Sequence, residues 1–130
     1  MDTTIRHLKV PVQETERDAC LGPDGSVALV DRAFRILGGR WKLQILFRLY
    51  AEPTMRSSQF LRDISGISQK VLTQNLRDLE ANGLIQRTDF DEQPPRVEYA
   101  ATDAGLRLMP ALLAIREFAR ELPLPEGGRK

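Results

Sequence analysis

One cysteine and one histidine in 130 residues leave this chain poor in the side chains that most catalysis and metal binding need. A single thiol, Cys20, permits neither an internal disulfide framework nor a multi-cysteine zinc site. His7 stands alone in a polar stretch without metal-ligand spacing and reads as a surface histidine. Net charge is only +1, from 19 basic and 18 acidic residues, so there is no strong overall pull toward nucleic acid or an anionic membrane. No apolar run approaches the roughly 20 residues that span a bilayer. The stretch MDTTIRHLKVPVQETERDAC lacks the apolar core of a secretory signal. A phosphate-cradling glycine loop, a G-x-S-x-G and an H-E-x-x-H are missing too. These absences argue against an enzyme, a metal, any other cofactor and a membrane partner. The expectation they leave is a cytoplasmic protein.

Hydrophobic residues make up 42% of the chain and charged residues 28%, the balance of a single globular domain. Residues 1–25, with Pro11, Pro23 and no sustained periodicity, read as an arm that orders only against a partner. A domain is expected over 26–122, with a tail at 123–130. Ser26 is a candidate N-cap for a helix carrying Val27, Leu29, Val30, Ala33, Phe34 and Leu37, and Gly38-Gly39 ends it. Trp41, Leu43, Ile45, Leu46, Leu49 and Tyr50 form a second helix that closes before Pro53. Ser57 or Ser58 is expected to cap a short third helix, SQFLRDI, followed by a turn at Gly66-Ile67. Ser68 caps the fourth, in which Leu72, Leu76 and Leu79 form a buried stripe and Gly83 takes the left-handed position after the end. LIQRT (84–88) and RVEYAA (96–101) alternate as the strands of a hairpin, joined by DFDEQPP. Thr102 caps a last helix, and Pro110 is expected to kink it or divide it in two. Leu106, Met109, Leu112, Leu113, Ile115 and Phe118 cover more than one narrow stripe of that helix, the mark of a dimerisation surface.

Two short helices joined by a glycine turn and followed by a hairpin give the order of a winged helix-turn-helix. The fold class is therefore mainly α with a small β-hairpin, the N- and C-terminal helices forming a dimer interface. In that geometry the second helix of the pair, 68–82, enters the major groove and the wing, 84–101, lies at the minor groove. Opposite the leucine stripe stand Gln69, Lys70, Thr73, Gln74, Arg77 and Ala81. Glutamine suits adenine edges, lysine and arginine suit guanine, and a threonine methyl suits that of thymine. Ser68 and the helix N-terminus suit a phosphate. The same face also reads as an ordinary solvated surface, and charge does not decide between them. Only Arg32, Arg35, Arg40, Lys42 and Arg48, set against Asp31, make a clearly basic block. Within it Arg40 and Lys42 are expected to face phosphate, and Trp41 to pack in the core. The carboxylates Asp89, Asp91 and Glu92 read as a solvated wing tip, held off the backbone while Arg87 and Arg96 approach it. A DNA-binding protein and a winged-helix protein–protein module both stay open at this point.

Three blocks, ILGGRWKLQILFRL, GISQKVLTQNLRDLEANGLIQRT and PPRVEYAATDAGLRLMP, resemble the HxlR-type family of bacterial winged-helix regulators, relatives of the MarR-type regulators. The resemblance covers roughly residues 27–121. It implies a transcriptional regulator, more often a repressor, that binds a pseudo-palindromic operator in double-stranded DNA as a homodimer. It also implies that Ser68, Gln69, Lys70, Thr73, Gln74 and Arg77 are the recognition-helix contacts and that Arg96 is the wing arginine at the minor groove. Some members sense oxidants or electrophiles through a cysteine about ten residues before the glycine pair. That position is Ala28 here, and Cys20 lies further from Gly38. A thiol-sensing regulator using Cys20, answering to an oxidant or another small-molecule effector, is thus the third reading.

Overall fold

Apolar side chains recurring every three or four residues, each run stopped by a glycine or proline, produce the expected helices at nearly the expected places. The structure is a computed structural model that describes residues 21–22 and 25–125. Cys20, His7, most of the arm and the end of the tail lie outside the described residues. The chain divides into two compact units, 1–38 and 39–130.

The described part of the first unit is built on α1 (Ser26–Leu37). Its N-cap is Gly25 and not Ser26: the Gly25 carbonyl accepts the Leu29 N–H at 3.0 Å, so the helical ladder starts one residue earlier than the serine suggested. Val27, Leu29, Val30 and Phe34 are each more than half exposed.

The second unit contains α2 (Lys42–Ala51), α3 (Ser57–Asp63), α4 (Gln69–Ala81), β1 (Ile85–Asp89), β2 (Val97–Ala101) and α5 (Asp103–Glu121). Its core is made of Ile45, Leu46 and Leu49 from α2, Phe60 from α3, the Leu72, Leu76 and Leu79 stripe of α4, and Ile85, Tyr99 and Leu112. Each such buried side chain contributes about 1.5–3 kcal/mol, so the stripes fix how the helices pack. The hairpin is antiparallel, from Ile85 opposite Ala101 to Asp89 opposite Val97. On its other edge β2 receives Met55, whose N–H donates to the Tyr99 carbonyl at 2.9 Å and whose carbonyl accepts the Tyr99 N–H at 2.8 Å. A one-residue bridge has no periodicity, and the sequence did not announce it.

One detail of the helix-turn-helix differs from expectation. At the start of α3 the N-cap is Arg56, ahead of both serines, because the Gln59 side chain reaches back to accept the Arg56 N–H at 2.8 Å. Of the two outcomes expected at Pro110, a kink or a division, the division does not occur: the last helix runs through the proline as one element to Glu121. Proline deletes one backbone donor there, and the remaining ladder carries the helix past it.

Candidate nucleic-acid interface

Ser68 opens α4 as the sequence predicted: its Oγ accepts the Val71 N–H at 3.1 Å. At the other end the Gly83 N–H donates to the Glu80 carbonyl and the Leu84 N–H to that of Leu79. This pair of bonds needs a left-handed residue at the first position past the cap, and Gly83 has φ +78°. Both ends of α4 are thus closed by local chemistry, and its buried leucines orient it. Gln69, Lys70, Gln74 and Arg77 then stand exposed on the outer face, with Thr73 half-buried among them. Together with Val71 and Asn75, residues Lys70, Thr73, Gln74 and Arg77 line a shallow depression of about 500 Å³. Lys70 and Arg77 form no ion pair among the described residues.

The amides on this face are already engaged. Gln69 Nε2 donates to Thr73 Oγ1 at 3.1 Å, and Gln74 Nε2 donates to Asp78 Oδ1 at 3.0 Å. The other Asp78 oxygen, Oδ2, lies 3.4 Å from Lys42 Nζ. Lys42, expected to face phosphate, is thus held at a carboxylate of α4. Its side chain is only 15% exposed, and it ties the start of α2 to α4. An ammonium so poorly hydrated needs a counter-charge close by, and Asp78 supplies it.

Much of the basic block is engaged in the same manner. Arg35 pairs with Asp31, and Arg48 donates to the Asp63 carbonyl at the end of α3. Arg40 remains exposed, with its guanidinium 4.3 Å above the Trp41 ring. Trp41, the N-cap of α2, is half-buried and not a core residue. Its ring lies at the turn of the helix-turn-helix, where a Cβ on Gly66 would meet it at 3.8 Å. Arg40 therefore sits close to the turn that leads into α4.

The wing is a network the sequence only hinted at. Arg96 stacks 3.6 Å above the Phe90 ring, donates twice to Glu92 at 3.1 and 3.0 Å, and donates to Glu98 at 3.1 Å. The hydrogen bond from Arg96 holds the Glu92 carboxyl below its ordinary pKa, and the bond to Glu92 holds the guanidinium above its own. Glu92 is thus no idle member of a solvated acidic tip. Arg87 has a weaker contact, 3.9 Å to Asp89.

Among the described residues no group of histidine, cysteine, aspartate or glutamate side chains could hold a metal ion. No helix among them is long and apolar enough to cross a membrane.

Known proteins are similar to this chain in sequence and fold. The model of the HxlR-like helix-turn-helix family matches residues 36–125. An uncharacterised HTH-type transcriptional regulator of Methanothermobacter thermautotrophicus is 39% identical over 100 residues, which is 77% of this chain and 76% of the relative. Another, BH0655 of Halalkalibacterium halodurans, is 36% identical over 83 residues, 64% of this chain and 74% of its own length. Among solved structures, the reduced form of the transcriptional regulator YodB from B. subtilis matches with a TM-score of 0.67 and 30% identity, over 78% of this chain and 96% of that one. YodB has also been solved diamide-treated and quinone-bound. A helix α4 closed at its ends by Ser68 and Gly83, a two-stranded wing and a family match over residues 36–125 agree: the chain belongs to the HxlR-like helix-turn-helix family of transcriptional regulators.

Proposed function

We propose that this regulator binds a pseudo-palindromic operator in the cytoplasm as a homodimer and represses transcription, with α4 in the major groove and the wing at the minor groove. The observation that carries the reading is the outer face of α4. Gln69, Lys70, Gln74 and Arg77 are exposed together while every leucine of the helix is buried. Glutamine, lysine and arginine are the side chains suited to base edges and phosphates. Ser68 at the helix N-terminus and Arg40 beside the turn add phosphate contacts. Unpartnered apolar faces support the dimer: Val27, Val30 and Phe34 on α1, and Leu106, Ile115 and Phe118 on α5, are all at least 45% exposed. A two-fold axis would set two copies of α4 about 34–36 Å apart, one turn of B-DNA.

Titrating the protein against duplex DNA from upstream of its own gene, at two salt concentrations, tests this. Affinity should fall steeply with salt, and the footprint should show two half-sites. Binding without salt dependence, or none at all, would favour a protein–protein module instead. Within a bound operator, Arg77→Ala should lower affinity by about 1–3 kcal/mol and flatten the preference at one base pair. A variant that binds and discriminates like the parent would remove Arg77 from the interface.

In this reading Arg96 reaches the minor groove by exchanging Glu92 and Glu98 for acceptors on DNA. Arg96→Ala should therefore weaken binding evenly across sequences, and Glu92→Gln, which removes one competitor, should tighten it a few-fold at low salt. Because the folded pKa of Glu92 is lowered, its grip is present above the ordinary carboxylate range and is lost only as pH falls through the lowered value. Mild acidification should thus not mimic Glu92→Gln. Should neither variant change binding, Arg96 is a brace of the wing and not a DNA contact.

A second reading adds thiol sensing through Cys20, favoured by the likeness to YodB, which has been solved in reduced, diamide-treated and quinone-bound forms. Treating the protein with diamide or a quinone should then lower operator affinity, and Cys20→Ser should abolish the response. Equal responses from parent and variant would dismiss it.

A further inference from the structure

Two amides lining the depression on α4 have their orientation dictated by a neighbour: Asn75 donates to the Val71 carbonyl at 2.8 Å, and Gln74 donates to a carboxylate from another turn of the helix. An amide can turn either end toward a hydroxyl, because a hydroxyl both donates and accepts, so the Gln69–Thr73 contact does not by itself force the orientation Gln69 takes. A carboxylate only accepts. The 3.0 Å contact between Gln74 and Asp78 therefore requires the NH₂ end of Gln74 to face Asp78. Asp78 is held in turn. Its second oxygen lies 3.4 Å from the mostly buried Lys42 ammonium, which belongs to the neighbouring helix α2. The Asp78 backbone carbonyl also accepts the Asn82 N–H at 3.1 Å, the bond that closes the last turn of α4.

One amide hydrogen of Gln74 is thus committed, and its carbonyl oxygen and second hydrogen remain. A carbonyl beside an N–H is the acceptor–donor pair that complements adenine, whose major-groove edge offers an N6 donor beside the N7 acceptor. Resting on the reading of α4 as the major-groove helix, we propose that Asp78, anchored by Lys42, is a positioning residue that fixes the polarity of the Gln74 amide and makes α4 select an A·T pair at one operator position. Lys42 then serves recognition from behind the helix and not by touching phosphate. The free protein holds the amide ready, so its ordering is not paid for again on binding.

The test is selection of bound duplexes from a randomised operator library by the full-length parent, Gln74→Ala, Asp78→Ala and the double variant, with thermal melts as a folding control. The parent should prefer A·T at one position. Gln74→Ala and Asp78→Ala should each flatten that same position about ten-fold, and the double variant should flatten it no further. Affinity for non-specific DNA should hold or rise in Asp78→Ala, because a negative charge has been removed from the interface. Damage to the fold would weaken specific and non-specific binding together. If Asp78→Ala melts early, the variant carrying both Lys42→Met and Asp78→Ala removes both charges and is judged by the same criteria. The proposal is overturned if Asp78→Ala keeps the preference that Gln74→Ala loses, if their effects add, or if all positions flatten alike. It is equally overturned if Gln74→Ala loses no preference while the parent binds DNA, and each of these outcomes leaves the DNA-binding reading standing. Failure of the parent to retain any duplex would instead overturn that reading, and the inference with it.

Discussion

Phe60→Ala should cost about 3–5 kcal/mol of folding stability, the range for deleting a buried aromatic from a packed core. Phe60 is fully buried in α3, and its ring meets that of Tyr99 edge-on, with centroids 6.3 Å apart. Such a pair adds about 0.5–1.5 kcal/mol beyond burial. The position also matters for function. Tyr99 lies on β2 and exchanges both backbone hydrogen bonds with Met55, just before α3. One side chain thus fastens the first helix of the helix-turn-helix to the wing. Urea unfolding of the parent, Phe60→Leu and Phe60→Ala would measure the effect, with the leucine variant retaining most of the stability. A loss below about 1 kcal/mol for the alanine variant would mean that the site collapses around the void, against the close packing of protein interiors.

Gly105→Ala should be the next most damaging change, lowering stability by about 3 kcal/mol although alanine is the better helix former. Gly105 lies in the first turn of α5, and a Cβ there would overlap the backbone carbonyl oxygen of Leu84. Neither side is free to retreat. The Leu84 carbonyl accepts the Thr102 N–H at 3.0 Å, and Thr102 Oγ1 accepts the Gly105 N–H at 3.1 Å. The Gly105 carbonyl accepts the Tyr50 hydroxyl at 2.9 Å. Burial pushes the Tyr50 phenol above its ordinary pKa, which keeps it a neutral donor. The competing effects have opposite signs, which makes the measurement decisive. Helix propensity alone would stabilise alanine by about 1 kcal/mol over glycine, so a variant as stable as the parent, or more so, would show that α5 does not approach Leu84 this closely. A destabilised variant should also lose operator binding, because this junction joins the wing to α5.

Much of the helix-turn-helix is legible along the chain because its causes are local. Leu72, Leu76 and Leu79 recur at helical spacing. Ser68 and Thr102 cap through bonds to residues three positions on, and Gly83 meets a backbone requirement that other residues satisfy poorly. The same locality explains the near misses. Ser26, Ser57 and Ser58 are good caps by type, but Gly25 and Arg56 occupy those places because the surrounding backbone and the Gln59 side chain close the ladders there first.

The exposed face of α4 follows from the sequence alone, since burying three leucines of an amphipathic helix turns Gln69, Lys70, Gln74 and Arg77 outward. Folding decided how those side chains are held. Lys42 and Asp78 stand 36 positions apart by their numbers, and no pattern along the chain shows that one is the other's counter-ion. Arg40 and Lys42, adjacent in kind and place, separate into an exposed cation and a mostly buried anchor only once α2 packs beside α4. Met55, which belongs to no periodic run, joins the wing for the same reason. Periodicity and caps act over a single turn of helix, so the chain states them directly. Ion pairs, bridges and close backbone approaches depend on which helices meet, and that is set only when the whole core is packed.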